Sequence, residues 1–284
     1  MSQAHQARDI QRAISNLKSL RDSGTGIVEI VAYGGAALPA LKSLLCRREP
    51  SGLFDARCRA VDALTALKAY DALIEYLSVE HAGSDPVERL GDDAVINYAA
   101  WALARTREER VFALLLRLAQ RPSLSGVIGA LGTFGRSEAI PALVTALEED
   151  VSRNVAEFMI RRQGPAARAA LVASAQRSSP SPDRESESSR RRRRSSLMLL
   201  AAIGMEPGAW PQLRSLMWDE DSKIAVLACK LCLSHAPSGE RREAIERLAA
   251  LLPSMDWILR QEAENILAAA GPPARFSFTR KAMH

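Results

Sequence analysis

The sequence predicts an all-α protein, an α-solenoid of stacked antiparallel helical hairpins. Three observations support this fold class. Alanine and leucine dominate the apolar residues while aromatic residues make up only 5% of the chain, a composition that favours helix. One nine-residue apolar pattern recurs along the chain, and a second short motif follows it at a similar offset. No strand-like alternation longer than a few residues competes with this interpretation.

The recurring pattern is a small or apolar residue, two variable positions, two apolar positions, two variable positions, an apolar position and often glycine. One copy consists of Val127, Ala130, Leu131, Phe134 and Gly135. Spacings of three and four place these side chains on one helical stripe, and the glycine suits the left-handed residue that ends a helix. We expect each copy to form the first helix of a hairpin. Copies begin at residues 60, 99, 127, 156, 196, 225 and 263, and a weaker copy begins at residue 26.

A second motif follows several of these copies and predicts where the second helix of the hairpin begins. It reads ALPAL at 37–41, AIPAL at 139–143, ARAAL at 167–171 and AWPQL at 209–213. Proline is tolerated in the first turn of a helix, where its missing N–H has no intrahelical partner. The intervals of 28 to 40 residues between copies fit stacked helical hairpins.

The segment from Glu138 to Ile160, EAIPALVTALEED followed by VAEFMI, resembles the short bacterial HEAT repeats, including those related to phycobilisome lyases. The resemblance extends over nearly the whole chain and implies a HEAT-like or armadillo-like superhelix forming a single domain over residues 1–284. Scaffolds, lyases and nucleic-acid-binding proteins share this repeat, so the resemblance by itself does not indicate one function.

One segment departs from the repeat. From Gln176 to Ser196 the chain carries seven arginines and three acidic residues, whereas the rest of the protein has 31 basic and 30 acidic residues. The segment contains no apolar residue able to join a core, and it lengthens one repeat interval to 40 residues. We therefore expect a disordered Ser/Arg-rich loop at 177–195 and a flexible C-terminal tail at 272–284.

The arginine run within this loop has two interpretations. It is either a solvated low-complexity loop, or a docking segment for an anionic partner such as nucleic acid, because arginine pairs bidentately with phosphate. The neighbouring serines are candidate phosphate acceptors. Trp210 and Trp218 lie at and after a predicted helix start, where partial exposure would suit a binding face. The predicted partner-binding residues are Arg190, Arg191, Arg192, Arg193, Arg194, Trp210 and Trp218.

No motif in the sequence indicates catalysis or metal binding. The four histidines are scattered and form no metal-ligand frame. Cys229 and Cys232 are three residues apart inside a predicted helix, so we interpret them as packing residues. We therefore expect no enzyme activity, no cofactor and no metal. The low cysteine content, the lack of an apolar leader and the interruption of the longest apolar stretch indicate a cytoplasmic protein without a membrane span.

The leading functional hypothesis is a non-catalytic scaffold that binds another protein through a concave face lined by second helices, assisted by the cationic loop. One alternative is a nucleic-acid-binding protein similar to the HEAT-like alkylpurine DNA glycosylases. A further alternative, implied by the resemblance, is a bilin-lyase-like or chaperone-like protein. The sequence leaves the identity of the partner and the oligomeric state open.

Overall fold

The structure is a computed structural model that describes residues 3–19, 23–48, 54–79, 85–179 and 185–270. In these ranges the backbone is helical apart from short connections, and no β-strand is present. The predicted all-α solenoid class is confirmed. The predicted C-terminal tail at 272–284 lies outside the described residues.

The helices follow one another with short connections. In the first part of the chain they are α1 (Gln3–Lys18), α2 (Ser23–Ala32), α3 (Leu38–Cys46), α4 (Asp55–Ala66), α5 (Tyr70–Ser78), α6 (Pro86–Ala104), α7 (Glu109–Leu118) and α8 (Ser125–Gly132). They continue with α9 (Ile140–Thr145), α10 (Asp150–Gln163), α11 (Arg168–Gln176), α12 (Glu187–Ile203), α13 (Trp210–Leu213), α14 (Ser222–His235), α15 (Ser238–Leu251) and α16 (Trp257–Ala270).

The chain divides into two compact units. Unit 1 comprises Met1–Ala142 with Asp150–Met159, and unit 2 comprises Leu143–Glu149 with Ile160–His284. Within unit 1 each first helix contacts the next one, as α2, α4, α6 and α8 do in succession, and the second helices α3, α5 and α7 contact one another in the same order. In unit 2 the same arrangement joins α12, α14 and α16. Contacts between next-but-one helices are typical of stacked hairpins. A single functional domain over 1–284 stays a prediction.

The recurring apolar pattern forms the buried stripe of the first helices, as predicted. Most of its small and apolar positions are buried, including Val127, Ala130 and Leu131. The closing glycines adopt positive φ at Gly34, Gly135, Gly164 and Gly204, the conformation that L side chains disfavour.

The second motif begins a second helix at each of its four copies. The helices α3, α9, α11 and α13 start at Leu38, Ile140, Arg168 and Trp210, each after a 3₁₀ turn. The leucine three residues later, for example Leu41 or Leu213, is fully buried. The motif therefore predicts the region of the helix start, and its last position predicts a buried leucine.

The predicted disordered loop is wrong over most of its described part. Ser186 caps helix α12 by accepting from the Ser189 N–H, and all five consecutive arginines lie inside that helix. Arg192, Arg193 and Ser189 are buried. The arginines of this helix bind carboxylates and carbonyls of other segments of the chain, and the local composition does not reveal these partners. Residues 180–184 lie outside the described residues.

Arginines in both units donate to carbonyl groups at the ends of neighbouring helices. In unit 1 Arg57 Nε donates to the Leu45 carbonyl at 2.8 Å, at the end of α3. In unit 2 Arg193 Nε donates to the Ala175 carbonyl at 2.9 Å, at the end of α11. The last carbonyls of a helix have no intrahelical donor, and they carry the negative end of the helix dipole. The arginines therefore join one hairpin to the next.

A glycine stripe on α8 brings three first helices close together. Gly126, Gly129 and Gly132 recur at every third residue, and a Cβ on Gly126 would lie 2.5 Å from Asn97 Cβ and 2.8 Å from its Cα. Asn97 of α6 accepts from the backbone N–H groups of Gly126 and Val127, so it caps α8 from the neighbouring helix. This close approach requires glycine.

We expect Gly126→Ala to lower the free energy of unfolding by about 1 to 3 kcal/mol, because the new methyl group meets the backbone of α6. Gly24→Ala is the matched control, since a Cβ at Gly24 meets no atom within 4 Å and alanine favours helix. Urea unfolding followed by circular dichroism measures both variants. Equal midpoints for the two variants would contradict the requirement for glycine in α8.

Candidate binding cleft

A polar cleft in unit 2 brings together three of the predicted binding residues, Arg190, Arg193 and Trp218. Its volume is about 760 Å³. The remaining lining residues come from the segments before α12, from the connection between α13 and α14, and from the first residue of α14, and they are Ser178, Glu185, Ser215, Leu216, Asp219, Glu220, Asp221 and Ser222.

Trp218 presents its ring at this cleft. It is the last residue of the 3₁₀ turn Arg214–Trp218, and its exposed fraction is 46%. The adjacent Leu216 and Met217 are buried, and Arg247 donates to the Met217 carbonyl at 3.0 Å. The buried side chains and the hydrogen bond from Arg247 thus hold the segment that carries Trp218, while the indole ring stays accessible to a partner, as in a binding hot spot.

Arg193 is the buried centre of the cleft's charge network. Its Nη1 lies 2.5 Å from Glu185 Oε2 and its Nη2 lies 2.5 Å from Asp219 Oδ2. Its Nε donates to the Ala175 carbonyl. Both carboxylates are largely buried, so the guanidinium and its partners compensate one another's loss of hydration. Arg193 fixes the cleft wall and does not offer an unpaired charge to a ligand.

Arg194 pairs with Asp221 at the start of α14. Arg194 Nε donates to Asp221 Oδ1 at 3.1 Å, its Nη2 contacts Oδ2, and the same Asp221 caps α14 by accepting from the Ile224 N–H. Burial of Asp221 favours a higher pKa, but the hydrogen bonds from Arg194 and Ile224 outweigh it and hold the pKa below its ordinary value of 3.8. The hydrogen bond to Asp221 raises the pKa of Arg194. The pair is therefore ionised at neutral pH.

Arg191 and Arg192 of the run also have partners within the protein. Arg191 Nη1 donates to the Glu148 carbonyl at 2.6 Å, and Arg192 Nε lies 2.8 Å from the Glu148 carboxylate. Arg192 Nη2 donates to the Arg177 carbonyl at 2.5 Å. Burial lowers the pKa of Arg192. The interpretation of the run as a solvated or docking loop is thus corrected, because the side chains of Arg191 to Arg194 bind groups of other segments of the fold.

The cleft carries an excess of negative charge. Its lining contains two arginines and four carboxylates. Arg194 and Glu187 form ion pairs with lining residues and with each other. Counting these two opposite charges as well leaves the same excess of two negative charges. A surface of this sign attracts cationic groups and disfavours phosphate.

Trp210 lies outside the cleft lining, and the prediction of its partial exposure is wrong. Its exposed fraction is 1%, and its indole N–H donates to Glu240 of α15. Trp210 occupies the same motif position as Ile140, which is also buried. Leu38 and Arg168 occupy that position in the other two copies and are only half-buried, so the motif position alone does not predict the burial of Trp210. Trp101 and Trp257, which lie in the first helices α6 and α16, are exposed by 42% and 78%.

The serine and cysteine hypotheses can also be compared with the structure. Ser189, Ser195 and Ser196 are buried, which disfavours their phosphorylation in the folded protein. Cys229 and Cys232 are buried in α14, and burial raises the pKa of Cys229 to about 12 and that of Cys232 to about 11. Both remain thiols at neutral pH, as packing residues do.

Neither a metal site nor a single membrane-spanning helix is found in the part of the chain that the structure describes. No group of three or more histidine, cysteine, aspartate or glutamate side chains is placed to hold a metal ion there. No individual helix among those residues has the length and hydropathy of a span, although Gly24–Ala32 together with Gly34–Cys46 meets the criteria as a pair bent by 118°.

Sequence reasoning missed the acidic half of the cleft. Glu185 was assigned to the loop, and Asp219 and Glu220 received no role. The signal that was present is the run Trp218-Asp219-Glu220-Asp221, in which three acids follow an aromatic residue directly before a first helix. Loops between repeats carry binding residues in many folds.

Comparison with known proteins gives a similarity of fold. No family model and no curated protein matches the chain. A similar solved structure is the complex of CpcE and CpcF of phycocyanin lyase from Nostoc sp. PCC7120, with 20% identity, coverage of 92% of this chain and 94% of that chain, and a TM-score of 0.35.

This comparison corrects the expectation that the chain is not an enzyme. The similar structure is described as a lyase, so a helical-repeat architecture does not by itself indicate a non-catalytic protein. We therefore withdraw that expectation. A similarity at this identity and TM-score assigns neither a family nor lyase activity to this chain.

Proposed function

We propose that the chain is a protein-binding module whose unit 2 cleft takes a basic segment of a partner protein. The observation that carries this proposal is the exposed indole of Trp218 beside a cleft with four carboxylates and two arginines. An aromatic face attracts a lysine or arginine side chain, and neighbouring carboxylates strengthen that attraction. The cytoplasmic location expected from the sequence stays a prediction.

The geometry separates the ligand-facing groups from the supporting groups. Glu220 and Trp218 are exposed, whereas Glu185, Asp219 and Asp221 already pair with Arg193 and Arg194. A basic side chain would therefore contact the Trp218 ring and the Glu220 carboxylate, while the buried ion pairs hold the loop in place. This division follows the usual pattern of an exposed aromatic anchor on a rigid support.

The alternative of nucleic-acid binding loses its main support in this arrangement. The arginine run that suggested it is ion-paired, and the local charge is negative. We therefore favour a protein partner over nucleic acid. Binding of duplex DNA or RNA at low salt with higher affinity than a basic peptide would overturn this preference.

The proposal is tested with a fluorescein-labelled peptide of alternating lysine and glycine, and with its glutamate counterpart as the charge-reversed probe. We expect the basic peptide to bind with an affinity that falls with salt. Trp218→Ser and Glu220→Lys should each weaken it by about tenfold, the loss of one cation–π or charge-assisted contact. Fluorescence anisotropy measures the affinities.

Two variants serve as controls. Trp257→Ser removes an exposed tryptophan of the same unit, and Glu264→Lys makes the same charge change on α16, where Glu264 is also exposed. Both are expected to bind like the wild-type protein. Equal losses in the cleft and control variants, or preferential binding of the acidic peptide, would contradict the proposed site.

A further inference from the structure

A second cleft lies in unit 1, on the side formed by the first helices. Its volume is about 440 Å³, and its lining comes from α4, α6, the turn after α6 and the end of α8. Two aromatic side chains one turn apart on α6, Tyr98 and Trp101, are each 42% exposed at this cleft. None of these residues belongs to the unit 2 cleft.

Both aromatic rings are held in place by the surrounding helices. The Tyr98 hydroxyl donates to Asp62 Oδ1 of α4 at 2.8 Å. The Trp101 ring rests on Gly129 of α8, where an added Cβ would lie 2.5 Å from Trp101 Cζ2. An aromatic side chain that is exposed but already fixed loses little conformational entropy on binding. The glycine at 129 therefore serves the orientation of a surface ring.

The charged residues that line this cleft have a net positive charge, whereas those that line the unit 2 cleft have a net negative charge. Arg105 and Arg107 line the unit 1 cleft, against the single carboxylate of Asp62. Arg107 adopts a positive φ, donates to the Thr133 carbonyl and stacks over the Phe134 ring at 5.4 Å. Its guanidinium is thus oriented, and a non-glycine residue in that conformation is strained. The lining carries two positive charges and one negative charge, so the local field favours an anionic group.

We propose that this cleft docks an acidic segment of a partner protein, with a carboxylate at Arg105 and Arg107 and a proline or apolar ring over Tyr98 and Trp101. Neighbouring helices lie 8–10 Å apart, so the distance from α4 to α8 is roughly 16–20 Å, about five or six extended residues. An extended peptide fits this span. Single-stranded nucleic acid would also stack on the rings, but two arginines and one carboxylate do not form a continuous basic track.

The test uses protein labelled with 5-fluorotryptophan, so that ¹⁹F NMR observes the four tryptophans separately. The probes are a short peptide of glutamate and proline around a central phenylalanine, the same peptide with lysine in place of glutamate, and an oligothymidylate. We expect the acidic peptide to shift the Trp101 resonance in a saturable manner and to leave Trp257 unchanged. Trp101 is assigned with a Trp101→Phe variant.

Arg105→Glu is expected to weaken binding of the acidic peptide by about tenfold or more, because an attractive contact becomes repulsive. Arg89→Glu is the control, since Arg89 is an exposed arginine near the start of α6, sixteen residues or about 24 Å before Arg105 along the helix axis. It should bind like the wild-type protein. No shift of Trp101, a stronger response to the lysine peptide or to oligothymidylate, or an equal loss in Arg89→Glu would overturn the proposal. Because the site and probe differ from those of unit 2, its failure leaves the proposed function intact.

Discussion

Arg193→Ala is expected to lower the free energy of unfolding by about 3 to 5 kcal/mol, the usual result of removing one partner from a buried ion pair. The substitution leaves the Glu185 and Asp219 carboxylates without their common counterion, and it removes the donor to the Ala175 carbonyl. Both losses weaken the packing of α12 against α11 and against the loop before α14.

Arg190→Ala is the matched control for this prediction. Arg190 lies in the same helix, but it is partly exposed and pairs with Glu187 within that helix. Such a surface pair contributes about 0 to 1 kcal/mol. Urea unfolding followed by circular dichroism measures both variants. If Arg193→Ala were no more destabilising than Arg190→Ala, the arginine run would not be part of the folded core.

Trp210→Ala is also expected to lower the free energy of unfolding by about 3 to 5 kcal/mol, because it replaces a fully buried indole with a cavity. The variant also removes the donor to Glu240. Trp210→Phe retains most of the packing and should be less destabilising. Thermal and urea unfolding of the two variants would separate the packing contribution from that of the hydrogen bond.

Trp257→Ala is the control for the cavity. Its ring is 78% exposed, and substitutions at such surface positions usually change stability by less than about 0.5 kcal/mol. An effect of Trp210→Ala as small as that of Trp257→Ala would mean that Trp210 is accessible, as the sequence alone suggested.

The repeat pattern predicted the fold because its signals are local. Spacings of three and four, a closing glycine and a proline in the first turn all act within one helix. The starts of α3, α9, α11 and α13 therefore lie within the four copies of the second motif, as predicted. In two of the copies that lack the glycine, those beginning at residues 60 and 99, Lys68 and Arg107 adopt the positive φ instead.

The arginine run could not be predicted in the same way because its partners are distant in sequence. Glu148 lies 44 positions before Arg192, and Asp219 lies 26 positions after Arg193. A composition window over 176–196 contains neither acid, so the segment seemed unable to fold. The glycine stripe of α8 was missed for a similar reason, since Asn97 is 29 residues from Gly126.

The two proposed clefts were only partly accessible to sequence reasoning. Trp218 was identified from its position after a helix start, but the exposure of Trp101 on a first helix was not expected. A stripe residue and an exposed residue differ by one or two positions on a helix, and the absence of a side chain at Gly129, 28 residues further along the chain, lets the Trp101 ring lie against α8.

The carbonyl contacts at the helix ends also account for a bias in the chain's basic residues. Of its 38 basic residues only six are lysine. A guanidinium has several N–H groups in a fixed plane, so one side chain can bind a carbonyl and a carboxylate together, whereas an ammonium group is a single point charge. The high ratio of arginine to lysine is therefore consistent with the way in which arginine side chains join the hairpins. Replacing Arg57 or Arg193 with lysine would not be a conservative substitution.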